Sequence, residues 1–481
     1  MSKSPASKSG YSPALEELKG GAYDIMRKKL EADMRLFREE NIALKTELQT
    51  KQQEFNSLAG GMSVTIDGQE YTLQQAAVFL QRQDRNLREE VYRKIQERRH
   101  KDADAFDQLF SELVKKRHQI ALNADFENYR DYAFVERHRF DYTPEDCFTF
   151  YDSIEKTLMP IVNDLAEKRK ATLGVDKLRP WDGAVDPSGK PPLKAFESAE
   201  DLVDKSITCF KRLHPVTGEC LSVMKELKHL DLESRQGKSP GGYNYPLMEL
   251  GVPFIFMNAT STVRDMVTLM HEGGHAVHSI LTKDLNLVDF KDMTPEIAEL
   301  ASMSMELMSM DHWDVFFPDK EDLRRAKINH LEDVLTTLPW IALIDRFQHW
   351  VYENPQHTVE ERDAQWTHLH ERFSSGVTDW TGLEHFRAKM WHKQLHLFEL
   401  PFYYIEYAFA QLGAIAVWRN YRQNPDKALD DYLEALRLGY TAPIGEVYKR
   451  AGAAFDFSED YMKGLMQFVK DELDGLIGEM G

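Results

Sequence analysis

The run His-Glu-Gly-Gly-His-Ala-Val-His at residues 271–278 constrains the fold of this chain more than any other segment. On a helix, a His-Glu-x-x-His pattern places its two histidines one turn apart on the same face, so both can reach one metal ion. His271 and His275 can then bind one zinc ion, and Glu272 can accept a proton from a water molecule held there. The run therefore predicts a helix that carries a catalytic zinc site.

His278 is the nearest candidate for a third ligand, but helix geometry argues against it. It lies two turns beyond His271, a rise of about 10 Å along a helix. Zinc–nitrogen bonds measure only about 2.0–2.1 Å, so a straight helix cannot bring both rings to one ion. We expect His278 to support the zinc site from outside or to pack in the core, and the third ligand to come from another segment.

A second helix is predicted across residues 295–308, with Thr294 as its N-cap, and it offers that ligand. Glu299 and Glu306 share one face of an otherwise apolar stretch, and a buried carboxylate needs a partner. We assign Glu299 to the zinc ion and expect Glu306 to orient a ligand histidine. The polar Ser302 lies on the same face and leaves open that this face is solvated.

Two adjacent glycines, Gly273 and Gly274, lie inside the predicted zinc-binding helix. Each glycine costs about 1 kcal/mol relative to alanine within a helix. Such a penalty is retained where function requires it or where two helices pack closely, and the sequence leaves both explanations open.

A histidine and three tyrosines form a second candidate group. His396 precedes the run Pro-Phe-Tyr-Tyr-Ile-Glu-Tyr at residues 401–407. The hydroxyls of Tyr403, Tyr404 and Tyr407 can donate hydrogen bonds to the oxyanion of a metal-bound tetrahedral intermediate. Taken alone, an aromatic cluster of this kind is more often part of a core.

The composition is that of a globular protein with an acidic surface. The 481 residues are 42% hydrophobic and 29% charged, and their formal net charge is −19. That charge argues against nucleic acid or an anionic membrane as the main partner. Cys147, Cys209 and Cys220 show no paired spacing and are expected to be buried in a reducing compartment. With no apolar signal segment and no membrane-length apolar stretch, the sequence predicts a cytoplasmic protein.

Helical patterns dominate the rest of the chain. Residues 1–20 are rich in Ser, Lys, Pro and Gly and are expected to form a disordered tail. Hydrophobic spacing predicts one long helix from Tyr23 to about Phe55. Residues 67–68, Asp-Gly, are predicted to form a tight turn, and residues 252–257 one or two buried strands ahead of the zinc-binding helix.

These segments together resemble the thimet oligopeptidase family and, within it, the oligoendopeptidase F-like branch. The resemblance extends from about residue 65 to about residue 470 and is strongest in four ordered segments: 241–243, 268–278, 299–306 and 396–413. Four motifs in order are far more specific than a single His-Glu-x-x-His run.

The resemblance implies a mainly α fold, a bilobed helical zincin with a deep substrate channel and a small β element beside the metal-binding helix. The lobes would be residues 21–200 and residues 201–481. The implied activity is zinc-dependent hydrolysis of short peptides, with one Zn²⁺ per chain and oligopeptides as partners.

The resemblance also carries residue roles. It implies that the zinc ligands are His271, His275 and Glu299, and that Glu272 is the general base. The residues implied to serve the oxyanion and the substrate are His396, Tyr403, Tyr404 and Tyr407, and the resemblance leaves open which tyrosine has which role. The residues implied to border the cleft and contact the peptide are Gly241, Gly242 and Tyr243.

Two departures from the family pattern affect these expectations. Gly273 stands where relatives usually carry a bulkier apolar residue, so helix packing near the metal is expected to differ. The N-terminal lobe is expected to be shorter than usual. We therefore expect a more open cleft, or a homo-oligomer in which a second subunit completes it.

Two other functions are compatible with the sequence. A metallocarboxypeptidase of similar helical build would need a basic residue for the terminal carboxylate of the substrate, which the sequence does not locate. A non-catalytic peptide-binding protein would keep the fold without zinc. The complete set of His271, Glu272, His275 and Glu299 argues against this last function.

Overall fold

The computed structural model of the chain describes residues 18, 20–235, 238 and 242–478. Apart from residues 18 and 20, the tail predicted at residues 1–20 lies outside the described residues, and so does Gly241. The described part is mainly α, as predicted, with its strands confined to two small sheets.

The α-helices of the described residues are numbered here in chain order. They are α1 (Gly21–Leu36), α2 (Glu40–Gly60), α3 (Leu73–Ala77), α4 (Arg85–Lys101), α5 (Ala103–Asn123), α6 (Tyr129–Glu136), α7 (Pro144–Thr157), α8 (Met159–Leu173), α9 (Ala199–Leu213), α10 (Pro215–Glu226), α11 (Val263–Leu281), α12 (Val288–Lys291), α13 (Pro295–Ser309), α14 (Lys320–Glu353), α15 (Val359–Arg372), α16 (Glu384–Ala388), α17 (Leu395–Glu399), α18 (Ile405–Gln423), α19 (Pro425–Leu436), α20 (Ile444–Arg450) and α21 (Glu459–Gly478). Short 3-10 turns lie at Val78–Gln81, Pro180–Asp182, Met310–Val315 and Met390–Lys393.

The first sheet is a hairpin of β1 (Ser63–Ile66) and β2 (Gln69–Thr72), paired antiparallel. The predicted Asp-Gly turn joins these strands. Asp67 has a φ of 50° and Gly68 a φ of 78°. Two consecutive positive φ values match the right-handed twist of a two-residue hairpin, and Asp-Gly tolerates them at little steric cost.

The second sheet contains β3 (Leu230–Glu233), β4 (Tyr243–Tyr245) and β5 (Phe254–Ala259), with β5 in the middle. β3 pairs parallel to β5, and β4 pairs antiparallel to it. The chain runs from β5 almost directly into α11, and both β4 and β5 contact that helix. The small β element expected beside the metal-binding helix is therefore confirmed.

The single helix predicted from Tyr23 to Phe55 is wrong. The chain breaks at Phe37, whose extended conformation (φ −65°, ψ 125°) ends α1 before α2 begins at Glu40. α1 packs against α6, whereas α2 packs against α5. Hydrophobic spacing continues through the break, and only the different packing partners of the two helices require the change of direction.

A continuous hydrophobic core places α13 between α11 and α18. Helices from both predicted lobes contribute to it, because α7 packs against α14 and α21. The division near residue 200 stays a prediction. Among the described helices, none combines the length and the apolar character that a membrane crossing requires.

Candidate metal centre and active site

The helix α11 is fixed at its start by a reciprocal capping interaction. The hydroxyl of Thr262 accepts a hydrogen bond from the backbone N–H of Asp265 at 3.1 Å. The Asp265 carboxylate in turn accepts from the backbone N–H groups of Thr262 at 3.0 Å and of Thr260 at 2.8 Å. These contacts satisfy the Asp265 N–H, which has no partner within the helix, and they fix the start of α11 close to the end of β5.

The two glycines of this turn allow close packing on both sides of α11. A Cβ atom at Gly274 would lie 2.6 Å from the Ser302 Cα and 2.8 Å from the Ala301 carbonyl oxygen of α13. A Cβ atom at Gly273 would lie 2.7 Å from the ring of Phe210. The close approach of α11 and α13 explains Gly274, since it brings Glu299 within reach of the histidines.

Three side chains from α11 and α13 converge at this contact. The Nε2 atom of His271 lies 3.2 Å from the Glu299 Oε2, and the Nε2 atom of His275 lies 3.6 Å from the same oxygen. Their ligating atoms all lie within 4.8 Å of one another. Two imidazole nitrogens and one carboxylate oxygen are a donor set that zinc accepts while keeping a position for water.

The outer contacts of this group orient its members. The Glu306 Oε1 lies 2.6 Å from the Nδ1 of His271, so the carboxylate turns the Nε2 of that ring towards Glu299. The Ser302 hydroxyl donates to the Glu299 Oε2 at 3.0 Å. Glu299 is only 6% exposed, so the alternative of a solvated face is wrong.

The charges of the cluster favour a positive charge at its centre. Burial lowers the pKa of His275 to about 4, so this ring is neutral at pH 7. Burial raises the pKa of Glu299, but the neighbouring imidazoles outweigh it and bring the value down to about 2. For His271, burial lowers the pKa, and the carboxylates of Glu299 and Glu306 raise it further than burial lowers it. A positive charge is therefore favoured between His271 and Glu299.

Glu272 lies beside this group and is 7% exposed. Burial raises the pKa of Glu272 to about 7, and the backbone N–H of Asn244 in β4 donates a hydrogen bond to its carboxylate. A carboxylate whose pKa lies near neutral pH exchanges a proton readily in both directions. This is the property that a general base needs if it must later act as an acid.

His396 is half-buried and has a defined tautomer. The indole N–H of Trp340 donates to the Gln394 Oε1 at 3.2 Å, and this fixes the amide so that its nitrogen faces the His396 Nδ1 at 2.9 Å. The amide N–H donates, so Nδ1 accepts and the proton of the neutral ring lies on Nε2. Burial and then the charge of Arg137 lower the pKa of His396 to about 4, so the ring is neutral at pH 7.

The three tyrosines surround His396 with ring centroids 4.8 to 6.0 Å from its own. Burial raises the pKa of Tyr403 and of Tyr407, and the negative charge of Glu299 raises both further. These two hydroxyls also hydrogen bond to each other.

The pKa of Tyr404 is likewise raised by burial, but its hydroxyl bonds to Gln394 and Trp340. Tyr403 and Tyr407 therefore face the metal group, whereas Tyr404 supports the His396 side.

The remaining expected site residues lie at different distances from this centre. Tyr243 begins β4 at the edge of the sheet, is 51% exposed and stacks on Phe256 with centroids 5.0 Å apart. Gly242 immediately precedes it and is exposed, and Gly241 lies outside the described residues. His278 is 1% exposed and burial lowers its pKa to about 3, so its neutral ring lies in the core.

A cavity of about 410 Å³ opens behind the tyrosine segment. Arg137 lines it and places its guanidinium 5.3 Å from the centroid of the Tyr403 ring. Pro401 and Thr294 form other parts of its wall.

Thr294 precedes α13 as predicted, but its hydroxyl makes no capping hydrogen bond within the described chain. The expected deep channel between two lobes stays a prediction.

Several residues near the centre have no signal in the sequence. His330, on the long helix α14, places its Nε2 3.7 Å from the Glu306 Oε2. The backbone of Asn244 contacts Glu272, and Gln394 fixes His396. The His330 and Asn244 contacts join segments that are remote along the chain. Gln394 lies only two residues from His396, but the remote Trp340 on α14 fixes its orientation. Neither spacing nor periodicity predicts these contacts.

Comparison with known proteins gives one family. Residues 78–467 match the model described as Peptidase family M3. A solved structure described as PZ peptidase A with an inhibitor superposes with a TM-score of 0.89 at 29% identity, covering 97% of this chain and 82% of that one. A structure of oligoendopeptidase F from Enterococcus faecium, at 17% identity and a TM-score of 0.68, shares the fold over 97% of this chain and 79% of its own.

Curated relatives match over shorter fractions of their own length. An oligoendopeptidase F homolog of Borreliella burgdorferi is 23% identical over 374 residues, which cover 75% of this chain and 60% of the relative. Oligopeptidase PepF of Bacillus subtilis is 24% identical over 416 residues, which cover 83% of this chain and 59% of the relative. The chain thus spans about three fifths of the length of these relatives.

Proposed function

Because this chain belongs to peptidase family M3, we propose that it is a zinc-dependent endopeptidase that hydrolyses short peptides. The observation that carries this proposal is the convergence of His271, His275 and Glu299, with ligating atoms within 4.8 Å of one another. Glu272 adjoins the group, and its pKa of about 7 suits a group that takes and returns a proton.

The donor set fits zinc. His271, His275 and Glu299 would hold the ion, with Glu306 fixing the tautomer and orientation of His271. The positive charge that the cluster favours between His271 and Glu299 supports this assignment. When bound, zinc would polarise the scissile carbonyl and lower the pKa of a water molecule towards neutrality.

Glu272 moves the proton in the proposed reaction. Its carboxylate takes the proton from the attacking water and delivers it to the amine that leaves when the peptide bond breaks. The backbone N–H of Asn244 holds the carboxylate in place during both transfers. Because burial keeps competing water away, Glu272 is the group that receives this proton.

The tyrosine pair and His396 serve the carbonyl oxygen in this proposal. The hydrogen bond between the Tyr403 and Tyr407 hydroxyls occupies one O–H and leaves the other free to donate to an oxyanion. We assign the Nε2–H of His396 as a further donor. We assign Tyr404 a supporting role, since its hydroxyl is engaged with Gln394 and Trp340.

The edge of β4 would take the peptide backbone. An edge strand presents unpaired N–H and C=O groups to which an extended peptide can add as a further strand. Gly242 and Tyr243 would border the cleft there, with the exposed Tyr243 ring offering contact area. We further propose oligopeptide substrates and a cytoplasmic location. A homo-oligomer stays a prediction.

The function is tested with an internally cleavable fluorogenic peptide that is amidated at its C-terminus. The protein is expected to cleave it, to lose this activity in a chelator and to regain it when Zn²⁺ is restored. An endopeptidase needs no free carboxylate on its substrate, whereas a carboxypeptidase does. Hydrolysis of only the unblocked peptide would favour a carboxypeptidase, and full activity in the chelator would contradict a metal-dependent reaction.

The tyrosine assignment predicts an asymmetry among three variants. Tyr403→Phe and Tyr407→Phe are each expected to lower kcat by about 10²–10³-fold, because each removes a hydroxyl from the network that stabilises the oxyanion. Tyr404→Phe is the matched control and is expected to keep kcat near that of the wild type. Steady-state kinetics on the fluorogenic peptide measures all three. A loss of kcat in Tyr404→Phe as large as in the other two would reject the assignment.

A further inference from the structure

A second group of metal-ligating side chains lies in the core, away from the site described above. Cys147 lies on α7, and Asp345 and His349 lie one turn apart on the same face of α14. All three side chains are buried. One ligating atom from each lies within 4.8 Å of the others.

His349 is the member that the fold leaves unsatisfied. Among the described residues, neither of its ring nitrogens has a hydrogen-bond partner. Its Nε2 lies 3.5 Å from the Asp345 Oδ2, and its ring packs against Phe148 and Phe402 with centroids 5.1 and 5.2 Å away. A buried polar group without a partner destabilises a fold, so an imidazole placed this way needs an explanation.

Asp345 is held in one orientation inside the same group. The Tyr151 hydroxyl donates to its Oδ2, and the Gln348 amide nitrogen lies 3.5 Å from its Oδ1. Arg139, the nearby cation, pairs instead with Glu406 at 2.9 Å. A carboxylate oriented by a hydroxyl, beside an unpaired imidazole and a thiol, matches the arrangement of a ligand set with an outer hydrogen bond.

We propose that Cys147, Asp345 and His349 bind a second divalent cation of the zinc class, in a closed site that fastens α7 to α14. Thiolate, imidazole and carboxylate are all zinc ligands, and one thiolate with one carboxylate balances the charge of the ion. A second oxygen of Asp345 or a water molecule completes the four positions. On binding, the S–H bond of Cys147 breaks, a sulfur–metal bond forms, and the proton leaves to solvent.

This second site differs from the proposed catalytic one in its chemistry and its consequence. Burial raises the pKa of the Cys147 thiol well above its usual range, so the proton stays on sulfur until a cation displaces it. The ion would lie in the core, out of reach of a peptide. It would therefore contribute to stability and leave peptide hydrolysis to the group around His271.

Cobalt provides a probe that separates the two sites. The full chain is freed of metal and loaded with Co²⁺, and the thiolate-to-cobalt charge-transfer band is recorded in the near ultraviolet together with the cobalt bound per chain. The catalytic group contains no sulfur, so the band reports on a cysteine outside it, and the Cys147→Ser variant identifies which one. We expect the wild type to show the band. The Cys147→Ser variant should lose the band and bind one cobalt ion fewer per chain. The His271→Ala variant should keep the band.

The matched control is Cys220→Ser, since Cys220 is another buried cysteine of the chain. This variant should keep the band and the metal content. Circular dichroism shows whether Cys147→Ser folds, and if it does not, His349→Gln serves in its place. A wild type that binds one ion without the band would overturn the proposal, as would loss of the band in Cys220→Ser. Failure of this proposal leaves the catalytic one intact, because His271→Ala tests that site separately.

Discussion

The Glu272→Gln variant is expected to bind zinc like the wild type and to lose about 10²–10⁴-fold in kcat. The amide keeps the size of the side chain but cannot accept the proton of the attacking water. Glu272 is not one of the assigned zinc ligands, so its neutralisation leaves all three in place. KM for the peptide should change little, since the same backbone contacts hold the substrate.

The control for this variant is Glu200→Gln, which neutralises an exposed glutamate on α9. It should have the kcat of the wild type. Metal content is measured on the same preparations, so a loss of turnover can be separated from a loss of zinc. Near-normal hydrolysis by zinc-loaded Glu272→Gln would show that another group takes the proton.

The Glu299→Ala variant is expected to lose both the metal and detectable hydrolysis. It removes the only carboxylate assigned to the ion and leaves two imidazoles on one helix turn. Glu306→Gln provides a graded comparison, because it alters the acceptor of His271 and leaves the three assigned ligands in place. Substitutions of such outer partners typically lower metal affinity by about 10–100-fold. Glu299→Ala should exceed that loss, and both affinities can be measured by competition with a chromophoric chelator.

The order of these two effects distinguishes the assigned roles. A larger loss of metal affinity in Glu306→Gln than in Glu299→Ala would mean that Glu306 binds the ion and Glu299 has the outer role. If Glu299→Ala still binds one ion with full affinity, Glu299 is not a ligand. Thermal unfolding of both apo variants shows whether either change destabilises the fold by itself.

Local periodicity carries most of what the sequence predicts about the site. The one-turn spacing of His271 and His275 and the apolar surroundings of Glu299 follow from residues close together in the chain. The distance between α11 and α13 does not follow from neighbouring residues. It depends on Gly274 lying against Ser302, and the sequence leaves open whether that glycine serves packing or function.

Contacts between remote segments account for what the sequence misses. The break at Phe37 arises because α1 and α2 pack on different helices, which no window of residues reveals. The contact of His330 with Glu306 and the orientation of Gln394, which Trp340 fixes, both depend on how α14 packs across the core. The Thr294 hydroxyl, expected to cap α13, is instead unpaired within the described chain.

The central claim is that one divalent ion is held jointly by α11 and α13. Diffraction from zinc-loaded crystals on both sides of the zinc absorption edge tests it directly. The expected result is an anomalous peak about 2.0–2.2 Å from the Nε2 atoms of His271 and His275 and from a carboxylate oxygen of Glu299. A fully loaded crystal with no peak among these three side chains would contradict the claim.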